Sequence, residues 1–187
     1  MLTPARSGTV QVQVQDGAGK PLADAAVFLE SREQRLAFKP AGGAEMAQSK
    51  KQFDPRVLVV PAGTTVAFPN RDTVRHHVYS FSPAKTFEIK LYAGSDANPV
   101  LFDRPGIAVL GCNIHDNMAA WVVVVETPYY GRSTVAGTVA LTNVTPGNYR
   151  LRVWHPAMAV GAPPLDQALQ VGSGDATSAV RLGGLAP

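Results

Sequence analysis

The chain has 187 residues, 45% hydrophobic and 17% charged, which suits one domain or two small ones and excludes a disordered polypeptide. Net charge is +3, and Lys and Arg are spread along the chain rather than clustered, so a nucleic-acid role has little support. The longest apolar run, Ala119–Val125, is too short to span a membrane, and the opening Met1-Leu-Thr-Pro-Ala-Arg-Ser-Gly8 has no apolar stretch of the signal-peptide kind.

Seventeen glycines and fifteen prolines without a period predict many turns and short strands. Residues 8–15 alternate strictly, with Val10, Val12 and Val14 apolar, and predict a half-buried strand. Asp16-Gly-Ala-Gly-Lys-Pro21 is a turn cluster, and residues 25–30 form the returning strand. Residues 31–52 carry Gly42-Gly43 and no period, and read as linker or irregular loop. Strands follow at 53–60 and 65–69, joined by the turn Pro61-Ala-Gly-Thr64. Residues 70–75 are a polar loop, 76–81 are extended, and 87–92 alternate. A turn at 93–98, a short strand at 99–102 and a turn at 104–106 lead to 107–110. The last third predicts strands at 134–141 and 149–154 around the turn Asn143-Val-Thr-Pro-Gly147, with 168–171 and 178–182 closing the sheet. Short strands at this pitch describe an antiparallel β-sandwich, so the fold class is all-β.

The stretch that carries chemistry is Leu110-Gly-Cys112-Asn-Ile-His115-Asp-Asn-Met118, running into the apolar segment Ala119–Val125. It sets a thiolate, an imidazole and a thioether at Cys-x2-His-x2-Met on a loop entering a strand. These are the donors that suit a copper ion alternating between Cu(I) and Cu(II). Cys112 is the only cysteine, so no internal disulfide can form, and a specific use such as metal ligation explains an otherwise oxidisable thiol. A second imidazole must come from elsewhere, and His76 and His77 are the source; strand alternation leaves either free to face inward. Zinc would accept these donors too, but Met is a poor zinc ligand. His155 reads as a strand-end residue, and Arg71, Asp72 and Arg75 as a solvated loop. No further Cys/His cluster stands out that would make a catalytic copper enzyme.

Asn70-Arg-Asp-Thr-Val-Arg-His76-His-Val-Tyr resembles the first-ligand region of the cupredoxins, in its amicyanin-like form, and Phe102-Asp-Arg-Pro-Gly106 with Cys112-x2-His115-x2-Met118 resembles their C-terminal ligand loop. Asp16-Gly-Ala-Gly-Lys-Pro-Leu-Ala-Asp-Ala25 and Asn143-Val-Thr-Pro-Gly-Asn-Tyr149 are similar to carboxypeptidase-regulatory or transthyretin-like modules. The resemblance implies a Greek-key copper domain over 45–126, inserted in an accessory β-sandwich split between 8–36 and 127–187. It implies one mononuclear copper, with His76, Cys112 and His115 as equatorial ligands and Met118 as the long axial one. His77 and Asn70 become neighbours of the ligand set, with His77 also an alternative ligand. The implied function is single-electron transfer, without enzymatic turnover, between partners such as a dehydrogenase and a c-type cytochrome in the periplasm. Storage or delivery of copper, or an adaptor with an atypical copper site, is the alternative. Electrons are expected to leave at His115, beside Ile114, Met118 and Pro83.

Overall fold

The computed structural model describes residues 7–39, 42–95, 97–115 and 117–186, so most of the opening segment read above lies outside the described residues. In chain order the elements are β1 (Gly8–Asp16), β2 (Ala26–Glu30), α1 (Arg32–Ala37), β3 (Gly43–Glu45), β4 (Ala47–Ser49) and β5 (Gln52–Asp54). Then come β6 (Val57–Pro61), β7 (Thr64–Ala67), β8 (His76–Ser82), β9 (Lys85–Tyr92), β10 (Val100–Phe102), β11 (Gly106–Gly111) and β12 (Ala119–Val125). The last five are β13 (Tyr130–Arg132), β14 (Thr138–Val144), β15 (Gly147–Trp154), β16 (Leu165–Val171) and β17 (Ala176–Leu182). Among the described residues the protein is all-β apart from one short helix.

The chain forms two compact units. Met1–Phe38 and Thr127–Pro187 build one, and Lys39–Glu126 builds the other. In the flanking unit the two N-terminal strands are central. β1 lies between β14, antiparallel, and β17, parallel. β2 lies between β13 and β15, and β15 also pairs with β16. The alternation of β1 buries Val10, Val12 and Val14 against Val27, Leu29, Val139, Leu141 and Leu151. Full burial of such a side chain stabilises by roughly 1.5–3 kcal/mol relative to leaving it in water. Its first turn is set by Asp16, whose Oδ1 accepts hydrogen bonds from Ala18 N and Lys20 N while Gly19 takes φ 85°.

In the middle unit a five-stranded sheet runs in the order β6-β12-β11-β8-β9, beside a three-stranded sheet β10-β7-β3 and the hairpin β4-β5. One face of each strand fills the core: Val78 from β8, Ala108 and Leu110 from β11, Ala120, Val122 and Val124 from β12, with Phe68 and Phe102. Phase then decides what lies near the core. On β8 His76, Val78 and Ser80 share one buried face; on the other face His77 is buried as well, while Phe81 stands at 75% exposure. Counting in twos along β11 from Ala108 and Leu110 reaches Cys112, which is buried too. The strand phases thus turn His76 and Cys112 to the same interior.

Three sequence expectations need correction. Residues 31–52, expected to be linker or irregular loop, contain α1, β3 and β4. Ser31 caps that helix, its Oγ accepting from Gln34 N at 3.2 Å, which is the Ser-x-x-Gln signal of a helix start. The strand expected over 53–60 is two strands, β5 and β6, with a cis Asp54–Pro55 bond between them. β13 has no counterpart in the sequence reading; at three residues it is too short to show a period.

Candidate metal centre

The loop before β8 is built around Asn70, which is 5% exposed. Its Nδ2 donates to Val74 O at 2.8 Å and Tyr92 O at 2.9 Å, and its Oδ1 accepts from Asp72 N at 2.9 Å. Asn70 therefore fixes the loop and aims Asp72. Asp72 reaches the hairpin tip between β4 and β5. Oδ1 accepts from Lys50 N at 2.6 Å and Oδ2 from Lys51 N at 2.8 Å. Oδ2 also lies 2.8 Å from His76 Nε2. Burial alone would raise the Asp72 carboxyl, but the Lys51 N–H, His76 and the Lys50 N–H together hold it below its ordinary value. Asp72, expected to be a solvated loop residue, is thus a partner of a buried imidazole. The spacing Asp-x3-His is the signal that could have found it.

His76 is fully buried, and its Nδ1 stands 3.8 Å from Cys112 Sγ. In a neutral ring whose Nε2–H faces a carboxylate, Nδ1 carries the lone pair. The His115 ring lies 5.2 Å from that of His76, centroid to centroid, at 56°. One donor atom each from His76, Cys112 and His115 fall within 4.8 Å of one another. On the same loop Met118 N donates to His115 O at 3.0 Å, and the Met118 side chain is 2% exposed. Met118 therefore does not line an exposed patch, contrary to expectation, whereas Ile114 is half exposed and Pro83 is exposed.

His77 goes the other way. It shares the outer face of β8 with Tyr79, whose ring it meets edge-on at 6.0 Å, and its Nε2 lies 3.0 Å from Glu88 Oε1. That is an ion-pair distance whose angles do not make a hydrogen bond, since His77 Nε2 has no partner by geometry. The structure brings His76 to Cys112 and His115 and leaves His77 out. Beside Cys112, Gly111 faces the Tyr79 ring so closely that an added Cβ would stand 2.7 Å from it. Burial pushes the Tyr92 phenol up to about 12, against its hydrogen bond from Gln48 and with Cys112 adding to the rise. His155, by contrast, lies in the flanking unit and bonds Ala23 O through Nε2 and Ala157 N through Nδ1.

The donor set fits a soft or borderline metal. The buried Nδ1 of His115 has no hydrogen-bond partner, a cost that a bound ion would remove. Thiolate with two imidazoles and a nearby thioether is the combination that favours copper.

No protein-family model matches the chain, and no curated protein matches it. Among solved structures it is similar to a purple cupredoxin from Nitrosopumilus maritimus, at 23% identity, over 44% of this chain and 99% of that one, with a TM-score of 0.39. It is also similar to an amicyanin mutant in the reduced state, at 21% identity, over 53% of this chain and 98% of amicyanin, with a TM-score of 0.42. A copper-containing nitrite reductase from Thermus scotoductus SA-01 is 22% identical over 61% of this chain and 28% of the reductase, with a TM-score of 0.42. Among the described residues, no helix is long and apolar enough to cross a membrane.

Proposed function

We propose that the chain is a mononuclear copper protein of the cupredoxin kind that passes single electrons between redox partners. The observation that carries the reading is the convergence of His76, Cys112 and His115 donors within 4.8 Å in a buried setting. In this reading those three residues hold the ion and Met118 supplies a weak fourth contact. Copper bound there supplies a one-electron change between Cu(I) and Cu(II).

The chain's own residues do the rest. Cys112 offers a polarizable sulfur directly joined to β11, and His76 is held by Asp72. The buried surroundings of Cys112, Met118 and His76 keep water from the donors, and keep the donors in place when the ion changes charge. His115, only partly buried beside the half-exposed Ile114, gives the electron its exit. A carrier of this kind needs brief docking rather than a substrate pocket, and small interfaces suit it. The mild positive charge favours an acidic partner, with a c-type cytochrome or a dehydrogenase as the chemical type. The periplasm is the compartment that goes with such partners.

The test is titration of the purified, metal-free protein with copper. One equivalent should bind and give an intense visible thiolate-to-copper band that Cys112→Ser abolishes while the β-fold remains. A colourless complex, or a band that survives Cys112→Ser, would overturn the reading.

A further inference from the structure

We propose that Asp72 is a positioning residue of the metal centre, which fixes the His76 ring and lowers the reduction potential by setting a carboxylate charge against its far nitrogen. The inference rests on the copper reading above. Three hydrogen-bond contacts carry it, and each is on a different atom pair. Lys50 N meets Oδ1 at 2.6 Å, Lys51 N meets Oδ2 at 2.8 Å, and Oδ2 stands 2.8 Å from His76 Nε2.

The arrangement is built rather than incidental. Lys50 and Lys51 have φ of 54° and 58°, the left-handed pair of a two-residue hairpin turn, with Ser49 paired to Gln52 beneath it. Such a turn aims two successive backbone N–H groups outward at one carboxylate. The two lysine side chains are exposed, and only their backbone takes part. Asn70 Oδ1 fixes the Asp72 backbone at 2.9 Å. The carboxylate is therefore gripped by backbone on one side and presses on a fully buried imidazole on the other, with 14% of its own side chain exposed.

Two consequences follow from this geometry. The first is orientation. A carboxylate at Nε2 keeps the proton there and leaves the Nδ1 lone pair facing Cys112 Sγ, 3.8 Å away. The second is charge. A carbonyl at the same place would orient the ring without adding a charge, whereas a carboxylate makes the imidazole a stronger donor and favours the more positive oxidation state of the ion. Little solvent lies between the two groups, so this charge is screened less than a surface charge would be.

The experiment compares wild type, Asp72→Asn, Asp72→Ala and, as a surface-charge control in the same loop, Arg75→Gln. In the copper-loaded protein, Asp72→Asn should keep the visible band and raise the reduction potential, by more than Arg75→Gln shifts it. In the metal-free protein, nitrogen-15 NMR of the His76 ring should show a slowly exchanging Nε2–H in wild type that loses its protection in Asp72→Ala. A potential in Asp72→Asn that moves no more than in Arg75→Gln, with the band intact, would overturn the charge role. Unchanged Nε2–H protection in Asp72→Ala would overturn the positioning role. If wild type gave no band at all, the copper reading itself would fail, and the metal-free NMR would still decide whether Asp72 positions the ring.

Discussion

The two units differ in how many buried polar groups they carry. In the flanking unit the buried polar side chains, Ser133 and Thr127, are closed by hydrogen bonds to the backbone. Ser133 Oγ accepts from Ala25 N at 2.8 Å and donates to Leu22 O at 2.7 Å, and Thr127 Oγ1 donates to Leu29 O and accepts from Tyr129 N. The middle unit buries Gln48, Thr64, Asn70, His76, His77 and Ser80, and leaves His115 Nδ1, His77 Nε2 and Gln48 Oε1 without partners. In the flanking unit Arg152 Nε is the corresponding atom among the described residues. Of these four atoms only His115 Nδ1 belongs to the His76–Cys112–His115 cluster, and it is the one that a bound ion would complete.

The sharpest way to break this contrast is to remove the flanking unit's centre. Deleting 8–36 takes β1 from between β14 and β17 and β2 from between β13 and β15. The 127–187 segment should then lose its strand content entirely, as circular dichroism and limited proteolysis would show. Survival of that segment as a protease-resistant β unit would mean that the central strands are dispensable.

Core truncation is the next largest effect. Phe102→Ala should cost about 3–5 kcal/mol and Leu151→Ala about 2–5 kcal/mol in chemical denaturation, since both side chains are fully buried. Copper separates the two, because a ligand that binds only the native middle unit stabilises that unit by mass action. Added copper should raise the midpoint of the transition that Phe102→Ala weakens and leave the other where it was.

The neighbouring histidines give a cleaner contrast at smaller scale. His76→Ala should weaken copper binding by more than the roughly 100-fold that loss of an orienting partner costs, while His77→Ala should stay well under that limit. Competition against a chelator of known affinity measures both. Comparable losses in the two variants would contradict the geometry in which His76 faces Cys112 and His77 faces Glu88.

The smallest effect is a pH dependence. The Asp72 carboxyl is held below its ordinary value of 3.8 in the folded protein, so its contribution to stability is fully present above that value. It is lost as pH falls through the folded value, on the acid side of 3.8. Asp72→Asn should therefore flatten the acid limb of a stability-against-pH curve of the metal-free protein and leave the curve near pH 7 parallel to wild type.

How much of this was legible in the sequence differs between the units for the same reason. β1 announced itself because Val10, Val12 and Val14 alternate with glutamines, and that phase is also the buried one. On β8 the sequence offers two apolar phases, Val78 on one and Tyr79 with Phe81 on the other, and the larger side chains face outward. Only tertiary pairing decides between them, which is why His76 and His77 stayed open. Cys112, His115 and Met118 were visible because their spacing is local. Asp72 was not, since its grip comes from a hairpin tip 22 and 21 residues upstream, at Lys50 and Lys51. Helix α1 was readable in principle from Ser31-x-x-Gln34 but has no apolar period to support it.

The central claim is that the middle unit's His76–Cys112–His115 cluster is a copper site made by a thiolate and two imidazoles. X-ray absorption at the copper edge of the loaded protein tests it most directly. The account predicts a first shell of one sulfur and two imidazole nitrogens, with the sulfur absent in Cys112→Ser. A first shell of nitrogen and oxygen alone in the wild-type protein would contradict it.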